Sequence, residues 1–389
     1  MLANADFHIH SCFSMASSKD MLIKNIASKS KLKGLNILGT GDAFHPTWLD
    51  MVEENTSYSG DGIYSCDGTD FILTTEVEGR NRIHHLIIIP DMAIARELSD
   101  KLVSPNKNSD GRPKSPLSGA ELLELVHEYG CLIGPAHAFT PWTGMYKSFD
   151  SIYDCYEKKA DFVELGLSAD TYMADRIEEL KDFTFLSNSD AHSPWPHRLG
   201  REFNRLELKD ISFSSIKYAF KHSKIKANYG LVPNLGKYHM TACTKCFKLV
   251  DPILAKKNNM KCGCGGRIKK GVDYRISEIA SWDKPRHPDF RPPYVHLMPL
   301  AELISVVYDK GITTKTVQGK WQKLIDEFST EINVLVNADL KDIEKIDSRI
   351  ASVIDAFRGN TIDVVPGGGG KYGEIKFSKT SNITTLDNF

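Results

Sequence analysis

From Ala5 to His192 the chain keeps one rhythm, in which short apolar runs alternate with amphipathic stretches. The runs are ADFHIH (5–10), LNILGTGD (35–42), FILTTEVEG (71–79), HHLIIIP (84–90), CLIGPAHA (131–138), DFVELGLS (161–168) and TFLSNSDAH (184–192). Between several of them lie segments such as KDMLIKNIASKSKLKG and SGAELLELVHEYG, whose apolar residues recur at helical spacing; Gly130 closes the second. Strand–helix alternation predicts a parallel sheet or an α/β barrel, and seven runs favour the barrel. No G-x-G-x-x-G follows the first run, which argues against dinucleotide binding.

The rhythm stops near residue 230. A Cys-rich stretch (241–272) and a Pro-rich loop, WDKPRHPDFRPPYVH (282–296), come next. Then Val317, Trp321, Leu324, Ile325 and Phe328 share one helical face. So do Ile343, Ile346, Ile350, Val353, Ile354 and Phe357, with Gly359 as the expected C-cap. The expected units are a catalytic barrel (1–235), a Cys₄ zinc module (236–275), a helical recognition domain (276–377) and a disordered tail (378–389).

In an α/β barrel the active site lies at the C-terminal strand ends. His8 and His10 end the first run, and Asp42 with His45 ends the second. Glu76 is late in the third, His84 and His85 begin the fourth, His137 ends the fifth, and Asp190 with His192 ends the seventh. Residues two apart on a strand point the same way, so His8/His10 and Asp190/His192 form converging pairs. Burying so many imidazoles and carboxylates without a counter-charge would be costly. Two or three divalent ions (Zn²⁺, Mn²⁺ or Mg²⁺) would remove that cost, and clustered ions suit phosphoester cleavage.

Composition adds little to this. The 389 residues are 41% apolar and 25% charged, ordinary for a globular protein. No apolar run of 18 or more and no basic-then-apolar leader is present, so a cytoplasmic protein without membrane contact is expected. Cys12, Cys66, Cys131 and Cys155 then read as small hydrophobes. Cys243-x₂-Cys246 and Cys262-x-Cys264, with glycines at 263, 265 and 266, suit a structural tetrahedral zinc. Residues 243–275 hold nine Lys and Arg against two Asp on a chain of net charge −1, a basic surface suited to a polyanion.

HIHSCFS, TGDAFHP, the Glu76 strand, HHLIIIP, GPAHAF and SNSDAH together resemble the polymerase-and-histidinol-phosphatase (PHP) family. The resemblance implies a distorted (β/α)₇ barrel with a trinuclear metal centre, in which His8, His10, Glu76, Asp190 and His192 carry the catalysis. It implies that His8, His10, Glu76 and Asp190 hold one metal. Glu76 would bridge to a second, held by His137 and by His84 or His85, with His85 preferred because it directly precedes the apolar run. His192 would hold the third. The chain departs from the family at Ala43, where a His often follows the Asp, and at Met15, where an acid or His is usual; Asp42 and His45 are the substitutes available.

SDAHSPWPHRLGREFN, HPDFRPPYVHLMPLAELI and FRGNTIDVVPGGGGKYGEIKF, in that order, resemble a DNA-repair branch of the family. That implies cleavage 5′ to uracil, hypoxanthine, xanthine or an abasic site. Arg198, Arg201, Arg291, Tyr294 and Lys371 are the expected DNA contacts, with the glycines before Lys371 admitting a phosphate to the backbone. The final Leu386-Asp387-Asn388-Phe389 resembles a degenerate sliding-clamp-binding peptide, which would make a clamp a partner of the otherwise disordered tail. Two other readings fit parts of the chain: a small-molecule phosphatase fits the barrel alone, and a non-catalytic damage-binding protein fits a decayed centre.

Overall fold

In the computed structural model, which describes residues 1–376, seven short strands close a barrel. They are β1 (Leu2–Asp6), β2 (Ile37–Gly39), β3 (Thr69–Glu78), β4 (His84–Ile89), β5 (Leu132–Pro135), β6 (Val163–Glu164) and β7 (Phe185–Leu186). Strands β1, β2 and β3 run parallel, with Ala5 opposite Ile37 and Leu38 opposite Phe71. So do β6 and β7. The Asp161 amide donates to the Ile133 carbonyl at 2.9 Å, joining β5 to β6, and the His10 amide donates to the Ala191 carbonyl at 2.9 Å, closing the ring.

The exception to parallel order is β4, which is antiparallel to both β3 and β5. The link Gly79–Ile83 is far shorter than a crossover helix requires, so the chain turns straight back. The start of β4 therefore lies at the same barrel end as the C-termini of its neighbours. Phe7, Ile72, Leu86 and Leu132 fill the interior, while Leu73, Val77 and Ile87 face the helices outside.

The sheet continues past the barrel through Phe203–Glu207, Ile225–Gly230 and Tyr294–His296. Residues 294–296, the end of the Pro-rich loop, thus join the barrel sheet; main-chain pairing with Asn228–Gly230 holds them there. Helices Leu300–Tyr308, Lys315–Phe328, Leu340–Ile346 and Ser348–Arg358 enclose a core of their own. The apolar face from Ile343 to Phe357 is broken at Asp347, whose carboxylate accepts from the Ile350 amide and caps a second helix. Gly359 is the C-cap, its amide donating to the Asp355 carbonyl from a right-handed conformation, and Asn360 at φ 51° makes the left-handed turn that follows.

One buried ion pair pins the helical unit to the barrel. Lys33 Nζ lies 2.6 Å from Glu331 Oε1, and both side chains are fully buried. Lys33 also donates to the Pro196 carbonyl, and Glu331 accepts from Trp321 Nε1 and the Leu300 amide. Burial offsets much of the attraction in such a pair, but removing either partner would leave a costly unpaired charge. No described helix is long and apolar enough to cross a membrane. The clamp-like peptide 386–389 lies outside the described residues.

Candidate metal centre

Three overlapping donor groups meet at the barrel mouth: His8, His10 and Glu76; Glu76, His84 and His137; His10, Asp190 and His192. Glu76 is their hinge. Its Oε1 lies 2.6 Å from His84 Nδ1 and 2.9 Å from His137 Nε2, and its Oε2 lies 3.6 Å from His10 Nε2. Asp190 Oδ1 stands 3.2 Å from His10 Nε2, 3.5 Å from His192 Nε2 and 3.8 Å from His8 Nε2. His137 (φ 31°) and Asp190 (φ 47°) reach these positions through left-handed backbone just past their strands.

A second set of groups aims the imidazoles. His8 Nδ1 is 2.9 Å from Glu164 Oε2, His10 Nδ1 is 3.2 Å from Asp42 Oδ1, and Ser17 Oγ is 2.9 Å from His192 Nδ1. This turns Nε2 of His8 and His10 inward, the arrangement by which carboxylates orient metal-bound histidines. Nε2 of His8 and His10 are buried with no hydrogen-bond partner, whereas His84 and His137 meet Glu76 through Nδ1 and Nε2 respectively. An orphaned buried nitrogen is expensive, and two facing Glu76 and Asp190 fit a cation. The electrostatics agree. Burial alone would lower the His8 pKa, but Glu164, Asp190 and Glu76 outweigh it and raise it to about 9. Against their own burial, Glu76 and Asp190 are held well below the usual carboxylate range by the surrounding imidazoles.

Three expected ligands lie elsewhere. His85 points away from the centre because neighbours on a strand face opposite sides; its Nδ1 is 2.6 Å from the Tyr156 hydroxyl. His84 takes the inward place. Asp42 accepts from the Ser11 amide, Ser11 Oγ and Ser14 Oγ, so it serves His10 instead of facing the centre. His45 caps the helix Pro46–Asn55, its Nδ1 accepting from the Trp48 amide, and stacks on Phe13.

Sequence reasoning missed Glu164 and Arg112. Glu164 had a faint signal, an acid inside the apolar run DFVELGLS. Arg112 had none: it belongs to an irregular loop and places Nη1 2.9 Å from Glu76 Oε2.

The expected DNA contacts divide. Arg198 and Arg201 line a cavity of about 540 Å³ that His137, Asp190, Trp142, Tyr238 and Tyr372 also line. Arg201 Nε donates to the Ser189 carbonyl, next to Asp190, and Arg198 stays half exposed. Arg291 is not a surface group. Its side chain is 1% exposed, paired with Asp175, bonded to the Phe183 carbonyl and stacked on Phe185. Tyr294 is likewise buried, in the added edge strand. Lys371 is exposed beside Glu374, and three of the four glycine amides before it are spent on backbone: Gly367 donates to the Asn234 carbonyl, Gly368 to that of Lys371 and Gly370 to that of Lys237.

In the Cys-rich module, Cys243 and Cys264 Sγ atoms are 3.5 Å apart and those of Cys246 and Cys262 3.8 Å. A disulfide would need about 2.05 Å. The edge of a tetrahedron with Zn–S of about 2.3 Å is about 3.8 Å, so the four sulfurs fit one zinc.

The MJ0043 C-terminal domain family matches residues 299–361. The uncharacterized protein MJ0043 of Methanocaldococcus jannaschii is 58% identical over 265 residues, 66% of this chain but 33% of that protein. The chain thus matches about a third of that relative's length. The uncharacterized protein YqxK of Bacillus subtilis is 33% identical over 96% of this chain and 98% of its own. The crystal structure of the lesion-specific endonuclease PfuEndoQ from Pyrococcus furiosus superposes with a TM-score of 0.95 at 47% identity, covering 99% of this chain and 98% of that one. Endonuclease Q in complex with a 27-mer duplex bearing an abasic lesion at the active site gives 0.94 and 46%, with both chains covered completely.

Proposed function

This chain belongs to the endonuclease Q family, and on that premise we propose that it cleaves the DNA phosphodiester 5′ to a deaminated base (uracil, hypoxanthine or xanthine) or an abasic site. The observation that carries this reading is the set of overlapping donor groups, with the orphaned inward nitrogens of His8 and His10, beside a cavity large enough for a nucleobase.

His8, His10 and Glu76 would hold one divalent ion, and Glu76 would share a second with His84 and His137. His10, Asp190 and His192 form the third group. When bound, such ions supply hydroxide at neutral pH and hold the phosphate and leaving oxygen. Zn²⁺ and Mn²⁺ both suit this mixture of imidazole and carboxylate. Glu164 and Asp42 fix the imidazole tautomers and keep the donor nitrogens aimed inward. Arg198 and Arg201 offer positive charge where the backbone beside the lesion would pass. A base inspected in the cavity must first leave the stack, which costs least at a mispaired deaminated base and nothing at an abasic site. The Cys₄ module holds a basic surface in one shape against the duplex.

The test is a nicking assay on end-labelled duplexes carrying one uracil, one hypoxanthine, one abasic site or no lesion, with Mn²⁺, Mg²⁺ or Zn²⁺. A cut directly 5′ to the lesion and none in the unmodified duplex is expected. Intact lesion duplexes, or equal cutting of all four, would overturn the proposal.

A further inference from the structure

One group at the barrel mouth has no part in the centre as described. Arg112 enters from a loop built to put it there. Asn106 accepts from the Lys114 amide and donates to the Arg112 carbonyl, Asp110 accepts from the Arg112 amide, and the Gly111 amide donates to the Phe13 carbonyl. The Glu78 amide donates to the Pro113 carbonyl, tying the loop to β3. The loop crosses directly over Asp42, where a Cβ on residue 111 would come within 2.2 Å of Asp42 Oδ2; glycine is required.

The guanidinium so placed is largely unspent. Of its five N–H donors it uses Nη1, on Glu76 Oε2, while Nε is buried with no partner. Its site also poses a problem of charge. Glu76 is the carboxylate the divalent ions need, and a guanidinium on the same oxygen repels them. An anion between the two cations removes the conflict, and a planar fork of N–H donors suits a phosphate.

We propose that Arg112 binds a non-bridging oxygen of the phosphate being cleaved, leaving Glu76 to the metal; this rests on the nuclease reading above. Arg112 is then a substrate-binding residue. In the free protein it competes with metal for Glu76, and on DNA it acts together with it.

The test compares wild type with Arg112→Gln. Binding is followed by fluorescence anisotropy in Ca²⁺, on an abasic-analogue duplex whose scissile linkage is either native or an uncharged methylphosphonate. Mn²⁺ uptake is measured by titration calorimetry without DNA. Wild type should prefer the native linkage by roughly ten- to hundredfold, the worth of charge-assisted hydrogen bonds. Arg112→Gln should bind both duplexes alike and take up Mn²⁺ as tightly as wild type or more tightly. A variant that keeps the preference, or loses Mn²⁺, would show that Arg112 only supports Glu76. If wild type nicks the lesion but ignores the methylphosphonate, this proposal fails and the nuclease reading stands. If wild type neither nicks nor discriminates, both fall.

Discussion

The two candidate metal sites are built in opposite ways. The Cys₄ site takes its ligands from 22 consecutive residues, on turns in a module whose Cys246 and Cys264 are exposed. The barrel site collects ligands from His8 to His192 and buries most of them at the ends of five strands. A module of that size lacks the apolar core to hold four thiolates together, so the metal and the fold are one equilibrium. The barrel has two apolar clusters around its strands and holds its donors by packing and outer hydrogen bonds. Spacing alone therefore locates the first site, and only folding assembles the second.

The largest effect should come from Cys246→Ser. Structural zinc is worth on the order of 10 kcal/mol in small modules. The variant should lose the zinc, and residues 243–270 should become protease-sensitive while the barrel keeps its melting transition. Loss of the barrel transition as well would break the contrast. Next, Asp190→Asn should reduce nicking by at least about a hundredfold, a loss seen even for outer partners of metal ligands. Lesion binding and the melting temperature should stay near wild type. A variant that unfolds would mean the barrel depends on its metals as the module does.

Glu164→Gln should act at one remove. It keeps the shape of the His8 partner but removes its charge, so Mn²⁺ affinity measured by calorimetry should fall about 10- to 100-fold. An unchanged affinity would mean that packing alone holds the His8 ring.

The smallest effect concerns a buried carboxyl outside the centre. Glu202 is fully buried with Oε2 unpartnered, and burial pushes its pKa up to about 8. The neutral acid is then the form that suits the fold. As pH rises from about 4.5 the unfolded chain ionises first, so stability falls until the folded group ionises near 8. Each pH unit of that interval is worth roughly 1.4 kcal/mol, so the loss is at most a few kcal/mol. Melting curves with EDTA at pH 5 and pH 8 should show a smaller decline for Glu202→Gln than for wild type; equal declines would mean Glu202 ionises freely in the fold.

The seven apolar runs and the cysteine spacing were legible because they are local. Period-2 and period-3.6 patterns report which face of an element is buried, and a turn with paired cysteines closes on itself. The reversed direction of β4 was not read, although the shortness of Gly79–Ile83 signals it. The register of that strand, with His84 opposite Glu78 and His85 opposite Val77, sets His84 inward and His85 outward, opposite to the preference drawn from family likeness. Arg291 and Tyr294, in a Pro-rich loop, were expected to contact DNA. They became core once Tyr294–His296 joined the sheet edge and Asp175, over a hundred residues earlier, met the guanidinium.

By itself, then, the sequence determined that strands end in His, Asp and Glu, that four cysteines suit one zinc, and that a basic segment follows the barrel. The tertiary structure decided which side chains converge: Glu164 onto His8, Asp42 onto His10 and Arg112 onto Glu76. The reason is geometric. Facing within an element depends on neighbours two to four residues away, whereas convergence at a barrel mouth depends on the register of every strand in the ring.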